Sequence, residues 1–237
     1  MILYGRNPVR EALRGPRTVK RIWATKRALE GEEWLRGSDT RTVDGAEVER
    51  LCGSPEHQGV CAEVSDYRYA DPDSLLAAED ALVICLDEVQ DPHNLGAVCR
   101  VAESVGAAGV VIPERRSAEV TPAAAKASAG AVEHMPVARV GNLANWLVDA
   151  KQAGAWVYGA EAGAESAPYD TLDYSGRVVL VLGSEGRGLR PRVADSCDQR
   201  VALPQRGRLN SLNVSTAAAA LLYGILHLRG AGLDKAP

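Results

Sequence analysis

Phenylalanine is absent from this 237-residue chain, so leucine, valine, alanine and isoleucine must fill its core. Metal-type spacing is absent too: the cysteines at 52, 61, 85, 99 and 197 form no CxxC pair and no ligand pattern. Most lie in apolar surroundings and read as core thiols of a reducing compartment, so no metal is expected. No run approaches the length of a transmembrane helix. The opening MILYGRNPVR lacks the apolar stretch of a signal peptide. A soluble cytoplasmic protein without a membrane partner is expected. An excess of positive charge is also lacking. The formal net charge is −4, which excludes a chain that binds nucleic acid over its whole surface. Only a local basic patch remains for that purpose. A dinucleotide-binding fingerprint is missing as well. GxGxxG should follow the first strand with an acid about twenty residues on, whereas GSEGRG at 183–188 has the wrong spacing and comes late.

What is present concentrates in the last third. The run VVLVL at 178–182 reads as a buried central strand of a parallel sheet. It empties into a glycine-rich loop carrying Glu185. Gly183, Gly186 and Gly188 permit positive φ and let a ligand approach the backbone closely. A second strand at 201–203 is stopped by Pro204. A basic loop follows, and Asn210, Ser211, Asn213, Ser215 and Thr216 then open an Ala/Leu-rich helix that runs to about Arg229. Open α/β sheets hold ligands at loops of this kind, beyond the carboxyl ends of their strands. One such loop would fit ordinary turns and helix caps. Two close together, with the segment that begins at Asn94, point to a site.

The chain divides into a small α/β module at 1–66, a linker at 67–80 and a second unit at 81–237. In the first, Asn7 is expected to cap a helix with Pro8 at its first position, ending near Gly15. A strand at 19–24, a helical turn at 32–35, a strand at 41–43, a helix at 46–51 and a turn into a strand at 57–64 follow. Residues 1–29 hold Arg6, Arg10, Arg14, Arg17, Lys20, Arg21, Lys26 and Arg27 against the single acid Glu11. That asymmetry suits a phosphate-facing surface, or a solvated surface with scattered arginines. In the second unit, strands are expected at 81–86, 109–112, 135–140 and 155–158. Helices are expected at 94–105, after Thr121 and after Asn142. The inward sets are Leu95, Val98, Val101, Ala102 and Val105, then Leu143, Trp146, Leu147 and Ala150. Alternating strands and helices imply a parallel sheet with right-handed crossovers.

Arg100 lies on the helix at 94–105. A helical side chain leans back over the positions three and four earlier, here Ala97 and Gly96, which leaves its path open toward Asn94 and the sheet edge. There it can grip a phosphate bidentately. The alternative is a surface arginine paired with Glu103 or Glu88. Asn94 can cap the helix or hold a ligand. His57, His93 and His134 are assigned no catalytic role.

Three ordered segments resemble the SpoU/TrmH family of RNA ribose 2′-O-methyltransferases, within the SPOUT superfamily. They are DEVQDPHNLGAVCR at 87–100, LGSEGRGL at 182–189, and Leu203-Pro with SLNVS at 211–215. YGRNPVREAL at 4–13 and HQGV at 57–60 resemble the ribosomal-protein-like substrate-binding domain of the subgroup that methylates a guanosine of 23S rRNA. The resemblance implies a C-terminal trefoil knot that holds S-adenosylmethionine, a homodimer, and RNA as partner. By motif, Gly183, Leu203 and Leu212 would frame the cofactor, and Asn94, Arg100, Glu185, Ser211 and Asn213 would be catalytic. The family's account makes Arg100 a base. Arginine side chains keep their proton at neutral pH, so a phosphate clamp that also stabilises alkoxide charge is the expected role. A tRNA target, or an RNA-binding protein without catalysis on the same fold, are the competing expectations.

Overall fold

Short segments at the start of the chain build a small sheet, and longer apolar runs beyond it build a large one. The computed structural model describes residues 1–163, 165–184, 186–208 and 211–230. The first part runs β1 (Ile2–Tyr4), α1 (Arg6–Arg14), β2 (Val19–Ala24), α2 (Lys26–Gly31), α3 (Glu33–Arg36), β3 (Thr40–Thr42), α4 (Gly45–Cys52) and β4 (Val60–Val64). Its strand order is β1-β4-β2-β3, with β4 antiparallel to both neighbours and β3 parallel to β2. The second part runs β5 (Leu82–Asp87), α5 (Pro92–Ser104), β6 (Gly109–Pro113), α6 (Pro122–Ala127), β7 (Val137–Val140), α7 (Leu143–Gln152), β8 (Trp156–Ala160), β9 (Ala167–Pro168), β10 (Val178–Gly183), α8 (Pro191–Ser196), β11 (Gln199–Ala202) and α9 (Val214–Leu228). These strands pair in parallel in the order β7-β6-β5-β10-β8-β11-β9. The expected α/β architecture, a parallel sheet flanked by helices behind a small α/β unit, is the one the chain forms.

β5 and β10 are apolar at almost every position because both of their faces are covered. Leu82, Ile84, Leu86, Leu180 and Leu182 face α5 and α9, where they meet Leu95, Val98, Leu221 and Ile225. Val83, Cys85, Val179 and Val181 face α7 and α8, where they meet Leu147, Trp146 and Val193. Each such side chain contributes about 1.5–3 kcal/mol on burial. Leu180→Ala, at the centre, would therefore cost about 2–5 kcal/mol. The thiols of Cys61, Cys99 and Cys197 are pushed up to about 12, chiefly by burial, as suits core thiols.

Two helix starts differ from the sequence reading. Asn7 lies inside α1, and the cap position falls to Gly5, whose φ of 94° only glycine adopts readily. The Gly5 amide is bonded to Val60 O across the sheet, so the chain turns directly out of β1. α5 is capped by Asp91, whose Oδ1 accepts from His93 N at 2.8 Å, and not by Asn94. Pro92 at the first helical position fits that earlier start. The short helices α2 and α8 were not foreseen. Nor is 67–80 a loose tether: Tyr67 Oη donates to Met135 O at 3.1 Å, and Val120 N donates to Tyr69 Oη at 3.1 Å. Ala70 N also donates to Val137 O, and Leu75 and Leu76 are buried.

Candidate active site

The carboxyl ends of β5 and β10 lie side by side, with Gly183 paired to Asp87. Beyond Gly183 the chain folds back on itself. Ser184 N donates to Gly188 O at 3.2 Å, and Gly188 N returns a bond to Ser184 O at 3.0 Å. A Cβ on Gly183 would fall on the backbone of Gly188 and Leu189, so this glycine makes room for the chain's own loop. Gly186 and Gly188 take positive φ, and open space surrounds Gly186. The loop walls a cavity of about 350 Å³, whose lining includes Gly183, Ser184, Leu203, Ser211 and Leu212. Small-molecule sites begin at about 300 Å³. Its walls are part backbone and part aliphatic, which suits a ligand with both polar and apolar parts.

α9 starts beside this cavity. Asn213 Oδ1 caps it, accepting from Ser215 N at 2.9 Å, Thr216 N at 3.4 Å and Ser215 Oγ at 2.6 Å. The other end of the same side chain crosses to α5: Asn213 Nδ2 donates to Asn94 Oδ1 at 3.1 Å. One asparagine thus caps one helix and ties it to the first turn of another.

Asn94, Asn213, Ser211, Gly183, Leu203 and Leu212 are therefore brought to one end of the sheet. Glu185 lies outside the described residues, as does Asn210. Arg100 stands apart. It is exposed on α5, six residues and so about 9 Å of helix beyond Asn94, and it does not line the cavity. Among the described residues it makes no ion pair, and Glu88 is engaged by Arg116 and Arg190 instead. Gly96 does not clear a path for Arg100. It is buried, and a Cβ there would meet the Ala124 carbonyl and, at 2.8 Å, Ala127 Cβ of α6. Two imidazoles are engaged elsewhere: His57 Nδ1 accepts from Gly59 N, and His134 pairs with Glu11. Among the described residues no three His, Cys, Asp or Glu side chains are grouped to hold a metal, and no helix is long and apolar enough to cross a membrane.

Sequence reasoning missed Arg190. Asp87, fully buried at the end of β5, accepts from Arg190 N at 2.8 Å, from Nε at 2.7 Å and from Nη2 at 2.7 Å. This bolt anchors the far side of the 184–190 loop to the strand beside it. The only signal in the sequence was an acid ending an otherwise apolar strand.

The sequence profile of the SpoU rRNA Methylase family matches residues 81–223, and that described as RNA 2′-O ribose methyltransferase substrate binding matches residues 2–70. The chain is 38% identical over 239 residues to YacO of Bacillus subtilis, assigned to the TrmH family of tRNA/rRNA methyltransferases. The match covers 96% of this chain and 95% of that one. In structure it is similar to an AdoMet-bound rRNA methyltransferase from Sinorhizobium meliloti, at a TM-score of 0.80 and 26% identity, over 95% of this chain and 86% of that one. The A. aeolicus TrmH/SpoU tRNA modifying enzyme matches only 68% of this chain and 81% of its own length, at a TM-score of 0.60 and 25% identity.

Proposed function

Because the chain belongs to the SpoU rRNA methylase family, we propose that it is a cytoplasmic, homodimeric enzyme that uses S-adenosylmethionine to methylate a ribose 2′-hydroxyl, that of a guanosine in 23S rRNA. The single observation that carries this reading is the Asn213–Asn94 bond, which ties the first turn of α5 to the start of α9, the helix that begins beside the cavity at Gly183. Threading of the C-terminal part through a trefoil knot belongs to the same proposal.

The residues fit such a cofactor. Gly183, Leu203 and Leu212 would hold it, largely through backbone groups, in a cavity with apolar walls for an adenine ring. When bound, it supplies a methyl group on a sulfonium, already an excellent leaving group. The protein's task is then to place the hydroxyl, loosen its proton and exclude water. Arg100, exposed and without an ion pair among the described residues, is free to clamp the phosphate beside the target ribose and to stabilise charge on its oxygen. Asn94, Asn213 and Ser211 hold the loops in place, and Glu185 orients an arginine or a backbone amide. The substrate-binding match at 2–70 supports an RNA target, and the shorter overlap with a tRNA-modifying relative favours rRNA within that reading.

The test is incubation with methyl-labelled cofactor and either unmodified 23S rRNA or unmodified tRNA, followed by mapping of the modified ribose. Label on one guanosine 2′-oxygen of the rRNA is expected. Label confined to tRNA would overturn the target. No label in either would leave an RNA-binding protein without catalysis.

A further inference from the structure

The seam between the two sheets is built as tightly as a core. One apolar cluster runs unbroken from Leu3, Val9 and Ala12 to Ala124, Val132 and Met135. Backbones approach closely across it. A Cβ on Gly130 would stand 2.7 Å from Glu11 Cβ, and one on Gly15 would stand 3.1 Å from Glu133 Cβ. Lys126 Nζ donates to Glu56 O at 2.9 Å, and His134 Nε2 sits 3.0 Å from Glu11 Oε2.

At its centre is a buried ion pair. Arg17 Nη1 meets Glu133 Oε1 at 3.0 Å, with side chains 5% and 0% exposed. The same guanidinium donates from Nε and Nη2 to Ser65 O, at 3.1 and 2.6 Å. Glu133 Oε2 is buried with no hydrogen-bond partner. A buried, incompletely satisfied pair is a poor source of stability, and its best-attested use is to specify one register over others. The turn that carries Glu133 follows directly on α6. α6 packs on α5 at Gly96, two residues from Asn94, which is bonded to the start of α9 beside the cavity. The seat of the first module is thus connected to the site through two close-packed helices.

We infer that the 1–66 module is a fixed arm of set reach, and that Arg17 and Glu133 are positioning residues that select which ribose arrives at the cavity. The inference rests on RNA being the substrate and goes beyond that reading in assigning the choice of nucleotide to this seam. A swinging arm would present many nucleotides to one cavity, whereas a pinned arm presents one.

The test compares the full-length wild type with Glu133→Gln, and with Glu11→Gln as a milder lesion at the same seam. Cofactor affinity is measured alone, methyl transfer is measured against rRNA concentration, the modified ribose is mapped, and amide exchange is followed in α1 and at 131–133. Glu133→Gln should leave cofactor affinity unchanged, raise KM for rRNA about tenfold, spread methylation to neighbouring nucleotides and speed exchange along the seam but not in β5 or β10. Glu11→Gln should do the same to a smaller extent and is expected to fold if Glu133→Gln does not. Unchanged KM, an unchanged methylated nucleotide and unchanged exchange in the folded variants would overturn the inference. If the wild type methylates no RNA, the preceding reading fails, and exchange at the seam still decides whether the arm is pinned.

Discussion

Two buried carboxylates, Asp87 and Glu133, are each gripped by one arginine, yet they are not equivalent. Asp87 accepts three bonds from Arg190, one of them from the backbone. Glu133 receives one bond from Arg17 and keeps an oxygen with no hydrogen-bond partner. A charge withdrawn from water is offset only when its remaining lone pairs are satisfied. The Asp87 bolt therefore stabilises the loop it holds, while the Glu133 pin mainly specifies position.

Erasing both charges at each place tests that difference most severely. Asp87→Leu with Arg190→Met removes the acceptor of a loop amide as well as the pair. A loss of about 2 kcal/mol is expected from the Arg190 amide left without its acceptor, with weakened cofactor binding, since Arg190 anchors the 184–190 loop. The Arg190 side chain is 42% exposed, which keeps the expected loss from being larger. Arg17→Met with Glu133→Leu should fall within about 1 kcal/mol of the wild type, because apolar side chains replace the pair and only the half-buried Ser65 carbonyl loses its donors. Urea denaturation of the two double variants measures both. Equal losses would break the comparison.

A smaller effect sharpens it at the site. Asn213→Ala loses the cap of α9, at about 1 kcal/mol. Asn213→Asp keeps the cap acceptor for Ser215 N and Thr216 N but removes the donor that reaches Asn94, and sets a carboxylate against Asn94 Oδ1. The aspartate variant should match the wild type in denaturant and transfer methyl groups about tenfold more slowly. A fully active aspartate variant would show that the cap alone matters and the bridge does not.

The parts legible in the sequence were those governed by local periodicity. The uninterrupted apolar runs of β5 and β10 announced central parallel strands. The cap at Asn142, with Leu143, Trp146, Leu147 and Ala150 inward, is α7 as it stands. The start of α5 was legible too, since Asp91 followed by Pro92 is a start signal, but Asn94 offered a competing one. What no periodicity could reveal was contact across the chain. Arg190 and Asp87 are 103 residues apart, and Arg17 and Glu133 are 116 apart. Gly96 made the same point in reverse: in sequence it looked like clearance for Arg100, while its real neighbour is the backbone of α6, a segment with no sequence link to it.

The smallest expected effect separates two acids of the seam by the sign of their pH dependence. Burial is the largest single influence on Glu11 and raises its carboxyl. The bonds from His134 and Arg10, with the charges of Arg14 and Arg10, together outweigh it and leave the group below its ordinary value. Glu11 therefore stabilises the fold fully above the ordinary glutamate value of about 4.3, and that contribution is lost as the pH falls through its lowered value. Glu133 has the opposite sign. Burial raises it against the pull of Arg17 and the charge of His134. Its contribution is complete below the ordinary value and is lost as the pH rises through its raised one. Thermal unfolding of Glu11→Gln should accordingly show a deficit near pH 7 that closes on acidification. The stability of Glu133→Gln relative to the wild type should instead fall on acidification and improve toward neutral pH. Parallel pH profiles for the two variants would mean that the Arg17 charge compensates Glu133 fully, and that the pin is as well satisfied as the bolt.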